Sequence, residues 1–249
     1  MDIASNISGS GGYGYPFYYF SCGRNMFESI TLADIHKKHK RILRKPSSTR
    51  AVTWIIEEKG VRAVVKDFSL NRLLYRNIIG RFLIWRERKA YRRLKGLEGI
   101  PALYRTINGL ALVIEEIPGK NLESIKDLKQ LPAHFFMDLT ALIERIHGRG
   151  LAHCDLKRAP NIILGNDGRP YIVDWSSSIS EREFRFFPFH LIYRRFTRDD
   201  IDAVIKIRLK YCPECVSPEE KFQYHNRSNA ERHIRALRDR ARDLLKKIA

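Results

Sequence analysis

Apolar and polar residues alternate with different periods along this chain, and each change of period marks an element. From Ile42 to Phe68 the pattern predicts strands. "AVTWIIEEKG" and "VRAVVKDF" are rich in β-branched and aromatic residues, and Glu58-Lys59-Gly60 suits a hairpin turn between them. Side chains alternate along a strand, so Val64, Lys66 and Phe68 share one face. The period then lengthens. "GRFLIWRERKAYRRLK" (80–95) predicts a helix with Leu83, Glu87, Ala90 and Leu94 on one face. Glu87 thus sits among apolar residues. A buried carboxylate is costly unless paired, and Lys66 is the candidate cation.

"LALVIEEIPG" (110–119) predicts a strand running into a Pro-Gly turn. Pro132 to Gly148 predicts an amphipathic helix with the stripe Phe135, Phe136, Leu139, Leu142, Ile143 and Ile146. Pro132 suits its first turn, and Gly148 and Gly150 suit its end. Next come the loop "HCDLKRAPN", a short strand "IIL", an Asn166-Asp167-Gly168 turn and the strand "YIVDW", which together make a hairpin. After Ser180 the chain is basic and aromatic, with helical stretches near 198–211 and 228–248. No internal repeat is visible. Residues 1–25 look irregular, and "GSGGYGYP" has the composition of a flexible tail.

Length and charge narrow the partners. A chain of 249 residues can bury a sizeable core. Lys and Arg number 46 against 28 Asp and Glu, a net charge of +18 that favours anionic partners. "REFRFFPFHLIYRRF" (182–196) interleaves aromatics with arginines, and Ile234, Leu237, Ala241, Leu244 and Leu245 approximate one face of a basic C-terminal helix. Either can pack on the protein with its arginines solvated; otherwise the C-terminal helix can lie on anionic lipid, and 182–196 can contact a membrane-embedded substrate or nucleic acid. No run is long enough to span a bilayer, and the N-terminus lacks the pattern of a secretory signal. The expectation is a cytoplasmic protein, peripheral at most to the inner face of the membrane. Nucleic acid is not expected. The four cysteines are too sparse for a disulfide framework. The close pair "CPEC", Cys212 and Cys215, lacks the second pair a zinc site usually needs, so two free thiols are expected.

Six polar groups are spaced for chemistry. They are a strand lysine (Lys66), a helix glutamate (Glu87), a strand-to-turn segment Glu115-Glu116-Ile117, a loop aspartate (Asp155), an asparagine (Asn161) and a strand-end aspartate (Asp174). Phosphoryl transfer from ATP needs a cation on the phosphates and a partner that holds it. It also needs oxygen ligands for Mg²⁺ and a carboxylate to orient the attacking hydroxyl.

The pattern resembles the protein-kinase-like superfamily over about residues 40–180. "VVKDF" looks like its third strand, "WRERKAYRRL" its first helix, "VIEEIPGKNL" its hinge, and "HCDLKRAPNIIL" and "VDWSS" its catalytic loop and metal-binding segment. The resemblance implies an α+β, two-lobed fold: a tail over 1–30, a small β-rich N-lobe over 31–117 and a mainly helical C-lobe over 118–249. It implies that Lys66 holds the α- and β-phosphates and that Glu87 pairs with it. Asp155 would act as base or orienter for the acceptor hydroxyl, Lys157 would neutralise charge on the transferring phosphoryl, and Asn161 and Asp174 would bind Mg²⁺. Backbone groups of Glu115 and Ile117 would face the adenine, with Ile114 behind. His153 would support the loop, and Arg158 would be surface.

Three departures shape the expectation. The glycine-rich phosphate loop is replaced by "RKPSSTR", where Ser47, Ser48 and Thr49 offer hydroxyls and N–H groups. Asp155 and Asn161 lie one residue further apart than in most protein kinases. "DWS" stands for the usual "DFG" with no "APE" after it, so the activation segment is short or absent. These features resemble the atypical branch: bacterial kinases of lipopolysaccharide core sugars, and RIO-type kinases. The leading expectation is transfer of the ATP γ-phosphoryl, with Mg²⁺, to a sugar hydroxyl on a glycolipid beside an anionic membrane. The alternative is an atypical serine/threonine protein kinase with a protein hydroxyl as acceptor. A third reading is a catalytically dead pseudokinase serving as a basic binding module.

Overall fold

A computed structural model of the chain describes residues 27–126, 131–132 and 134–225. The predicted tail up to residue 26, Cys22 and the predicted C-terminal helix 228–248 lie outside the described residues. Helix α1 (Leu32–Lys38) opens on a capping box, in which Thr31 accepts from the Asp34 amide and the Asp34 carboxylate accepts from the Thr31 amide. Five antiparallel strands follow: β1 (Arg41–Arg44), β2 (Val52–Glu58), β3 (Val61–Asp67), β4 (Leu103–Ile107) and β5 (Ala111–Glu115), in the order β1-β2-β3-β5-β4. The β2–β3 turn falls where the sequence predicts it, because Lys59 and Gly60 both adopt positive φ. One face of the sheet buries Val52, Trp54, Ala63, Val65 and Val113 with Phe27 and Ile35 of the α1 region. The other face turns Val64, Lys66 and Phe68 toward the main core.

Helix α2 (Arg81–Arg93) crosses that second face, and Glu87, Ala90 and Leu94 are buried as predicted. Helical structure begins earlier than the predicted residue 80. A short helical turn (Leu73–Tyr75) and a π turn (Arg76–Gly80) lead into α2. Gly80 makes this possible, since a Cβ there would meet the Cβ of Phe68 at 2.9 Å.

The remainder is mainly helical. β6 (Gly119–Asn121), β8 (Ile162–Gly165) and β9 (Pro170–Ile172) form a small antiparallel sheet, and β7 (Leu151–Ala152) pairs with β10 (Ile179–Ser180). Helix α3 (Phe135–Gly148) buries the whole predicted stripe. Helix α4 (Phe189–Tyr211) starts well before the predicted 198, and α5 (Pro218–His225) follows. One apolar core joins the two regions: Ile84, Leu94 and Ile114 belong to the same buried cluster as Leu139, Trp175 and Val204. Among the described residues no helix is long and apolar enough to cross a membrane.

The cysteine expectation is corrected. Cys212 and Cys215 form a disulfide rather than two free thiols, because the 3₁₀ turn Pro213–Cys215 brings their Cα atoms to 5.3 Å.

Candidate active site

Lys66 Nζ donates to Glu87 Oε1 at 2.6 Å and to Asp174 Oδ1 at 2.9 Å. Each partner arrives for a local reason. Lys66 lies on the strand face directed at α2, and Glu87 occupies the apolar face of that helix. Asp174 follows β9 in a left-handed conformation (φ 68°), which turns the chain into the 3₁₀ turn Trp175–Ser177. Glu87 Oε1 also accepts from the Trp175 amide at 3.3 Å, and Asp174 Oδ1 accepts from Ser176 Oγ at 2.9 Å. The pairing expected of a carboxylate on an apolar helix face is therefore present.

Burial opposes charge on all three groups, and the cluster offsets it. Burial disfavours the Lys66 ammonium, but Asp174 and Glu87 raise its pKa above the ordinary lysine value. Burial also works against the Asp174 carboxylate, yet Lys66 outweighs it and holds the group well below the usual carboxylate range. Glu87 is pushed upward by burial, with Lys66 acting the other way.

The loop before β8 is braced from behind. His153 is buried; its Nε2 donates to the Val173 carbonyl at 3.0 Å and its Nδ1 accepts from the Asp155 amide at 3.3 Å. His153 is thus a support for the loop, as the sequence suggests. The Asn161 amide nitrogen donates to the Asp155 carbonyl at 3.0 Å, which leaves its side-chain oxygen to offer to a cation. The Val173 amide donates to the Asn161 carbonyl at 3.0 Å, so the hairpin sets Asn161 beside the segment carrying Asp174. A carboxylate and an amide carbonyl are hard oxygen donors of the kind Mg²⁺ takes, so this pair fits the ion.

Asp155 is partly exposed and ion-paired with Arg158, Nε to Oδ2 3.2 Å. Arg158 is exposed, as expected, with its guanidinium turned toward the loop aspartate. Lys157 is partly buried on the same loop.

The "RKPSSTR" segment lies at the Lys66 end of the sheet, since Val52 pairs with Asp67 and Thr53 with Lys66. It is held through its carbonyls. Asn71 Nδ2 donates to Ser47 O at 2.8 Å and, at 3.3 Å each, to Ser48 O and Arg50 O; the Tyr75 hydroxyl donates to Thr49 O at 2.7 Å. Among the described residues no hydrogen bond joins Ser47, Ser48 or Thr49 to the Lys66 cluster. Ile114 is buried in the core. Glu115 turns its carboxylate back onto the Ala102 amide at 2.9 Å, with Ile117 following on the connection to β6.

Sequence reasoning missed Asp200. It is buried in α4 and accepts from the His153 amide at 2.6 Å, the Cys154 amide at 2.9 Å and His147 Nε2 at 3.2 Å. It bolts the start of the Asp155 loop to the longest helix among the described residues. The available signal was a group of acids, Asp199, Asp200 and Asp202, within a basic and apolar stretch.

The segment after Asp174 is short and fixed. Arg86 donates to the Ser178 carbonyl, Arg93 to Ser180 Oγ at 2.7 Å, and Lys89 to Glu183 at 2.7 Å. These contacts lock α2 in the position that brings Glu87 to Lys66.

A family model described as the RIO domain matches residues 76–220. The chain belongs to the RIO domain family. The matched span contains Glu87, Asp155, Asn161 and Asp174, while Lys66 precedes it. Over 100 residues the chain is 36% identical to the EKC/KEOPS complex subunit BUD32 of Encephalitozoon cuniculi, a match covering 39% of this chain and 48% of that protein. The match thus spans about half the length of that curated relative. In fold the chain resembles the Rio2 kinase–ADP/Mg²⁺–phosphoaspartate complex from Chaetomium thermophilum, with TM-score 0.53 and 17% identity over 75% of this chain and 60% of that one. A second structure of the same kinase gives TM-score 0.50 and 16% identity over 72% and 60%. The RIO and protein-kinase-like fold class expected from the sequence is therefore the one observed: an antiparallel sheet with one crossing helix, then a mainly helical part.

Proposed function

We propose that this RIO domain is an atypical protein kinase, moving the γ-phosphoryl group of ATP to a hydroxyl of a protein. The observation that carries the reading is the Lys66–Glu87–Asp174 cluster, a charged group kept ionised inside the protein at the junction of sheet and hairpin. Buried charge of this kind is costly, and a purely structural role does not require it. Lys66 holds the α- and β-phosphates, with Glu87 fixing its position. Asn161 and Asp174 hold Mg²⁺, which supplies charge neutralisation on the phosphates. Asp155 orients the acceptor hydroxyl and takes its proton while the oxygen–phosphorus bond forms and ADP leaves. Arg158 and Lys157 place positive charge beside that carboxylate. Glu115 and Ile117 line the adenine side, and Ser47, Ser48 and Thr49 cover the phosphates in place of a glycine loop.

RIO family membership and the likeness to a structure holding ADP and Mg²⁺ support this reading. So does BUD32, a subunit of a protein complex, which favours protein partners. A lipopolysaccharide sugar, the leading acceptor on sequence grounds, draws no support from these relatives, and the protein hydroxyl takes its place.

The test follows labelled γ-phosphate from ATP with Mg²⁺ to a generic basic protein, to the chain itself and to core glycolipid. Label in protein as phosphoserine or phosphothreonine, lost in Asp155→Asn, is the expected result. Label in glycolipid alone would restore the sugar acceptor. Failure to bind ATP at all would leave a binding module.

A further inference from the structure

The stretch that leads into α2 turns its apolar side chains outward. Leu73 is 65% exposed, Leu74 75%, Ile78 58% and Trp85 49%, with Leu70, Ile79 and Phe82 also exposed. Leu74, Ile78, Phe82 and Trp85 are spaced by four, four and three residues, which sets them along one strip of a helical segment. On a regular helix each step of four drifts about 40°, and the wider π turn at Arg76–Gly80 takes part of that drift back. From Leu73 to Trp85 the strip runs about 18 Å at helical rise. A contiguous apolar strip of this kind on a soluble surface marks a contact.

The charges beside it identify the contact. Between Phe68 and Leu94 the one acidic residue is Glu87, which is buried against Lys66. The segment's own exposed side therefore carries cations: Arg72 and Arg81 are exposed, and Arg86 and Lys89, which also pair with Glu183, lie over the Phe82 and Trp85 rings at 5.6 and 5.2 Å. The edge strand β1 repeats this composition. Ile42 and Leu43 are exposed between Arg41, Arg44 and Lys45, and the loop after β1 is tied to the same segment through Asn71 and Tyr75. Two copies meeting through this strip would set the exposed Arg72 and Arg81 of each against those of the other, with Glu183 already paired to Arg86 and Lys89, which disfavours self-association.

We propose that the Leu73–Trp85 segment is a membrane-docking surface that lies on anionic phospholipid. Leu74, Ile78, Phe82 and Trp85 enter the headgroup–acyl boundary, and the arginines extend their stems across the apolar strip to reach lipid phosphates. This docking is independent of the phosphotransfer reading.

The chain carries its own reporter. It has three tryptophans, and Trp54 and Trp175 are buried, so Trp85 is the one that a bilayer can reach. The full chain is titrated with vesicles of phosphatidylcholine mixed with phosphatidylglycerol, and with phosphatidylcholine alone. The expected result is sedimentation with the anionic vesicles and a blue shift of tryptophan emission. Both should weaken in high salt, and the shift should be absent from Trp85→Phe. The Leu74→Glu, Ile78→Glu double variant should bind at least about tenfold more weakly. It should keep the wild-type Tm, because both side chains are exposed. Absence of vesicle binding overturns the proposal. So does equal binding by the double variant, which would assign the lipid contact to another basic region. Concentration-dependent dimerisation abolished by the double variant would overturn it in favour of a second copy, and capture of an acidic protein in place of vesicles would do so in favour of a protein partner.

Discussion

Replacing Asp200 with alanine tests whether the Asp155 loop is held from the helical side. The carboxylate accepts two buried backbone N–H groups, His153 at 2.6 Å and Cys154 at 2.9 Å, and also His147. Each buried donor left without a partner costs about 1–3 kcal/mol, so the two amides together cost about 2–6 kcal/mol. Against a total stability of about 5–15 kcal/mol that is a large fraction. At about 2–4 °C per kcal/mol for a domain of this size, Tm should fall by about 5–20 °C. Function should split. Asp200 does not touch Lys66, Glu87 or Asp174, so below its own Tm the variant should still gain stability from ATP and Mg²⁺. Phosphoryl transfer should drop by about a hundredfold, because small displacements of a reacting group are heavily penalised. Asp200→Asn keeps one oxygen acceptor and should fall between wild type and Asp200→Ala in both readouts. Thermal unfolding with and without nucleotide, beside labelled-phosphate transfer, measures the split. A wild-type Tm for Asp200→Ala would refute the bracing role. So would loss of nucleotide protection in step with loss of transfer.

Other perturbations separate the remaining parts. In the wild type, Asp174 has a depressed folded pKa, so its stabilisation is present above the unfolded value near 4 and is lost as pH falls through the lower folded value. Lys66→Met removes the cation that offsets burial, so the folded pKa of Asp174 should rise above its unfolded value and that of Glu87, already raised by burial, should climb further. The variant's stability should then fall as pH rises, and Tm measured from pH 5 to 8 should show a widening gap to wild type; a constant gap would count against the cluster. Asn161→Ala should lose most of the Tm gain that Mg²⁺ adds to ATP. It should also lose about 1–3 kcal/mol in the absence of ligand, because the Asp155 carbonyl loses its donor; denaturant unfolding and thermal shift read the two effects separately. Gly119→Ala would place a Cβ 2.2 Å from the Leu164 carbonyl oxygen, a backbone atom that cannot rotate away. It should destabilise by about 1–3 kcal/mol in denaturant unfolding, and a neutral result would show that β6 yields.

What the sequence made legible follows from where its patterns are local. Lys66 and Glu87 were paired on the page because an acid on an apolar stripe demands a cation, and the hairpin around Asn166-Asp167-Gly168 was legible from turn chemistry. Asp200 was not, because its partners lie 46 and 47 residues away and nothing near it announces them. The lead-in from Leu73 to Gly80 was hidden for a different reason. Periodicity finds a helix by assuming that apolar residues face inward on one stripe and polar ones face out. Here "LLYRNIIGRFLIW" is apolar on both sides, so no stripe stands out. Its inner side is accounted for by Phe68, Leu83 and Ile84 of the core. Its outer side, Leu73, Leu74, Ile78, Phe82 and Trp85, is not covered by the described chain. A helix that is apolar all round is stable in water only when both sides are covered. The irregularity that defeated the periodic reading is therefore the same feature that leaves an apolar side uncovered among the described residues, and the arginines around it favour an anionic cover.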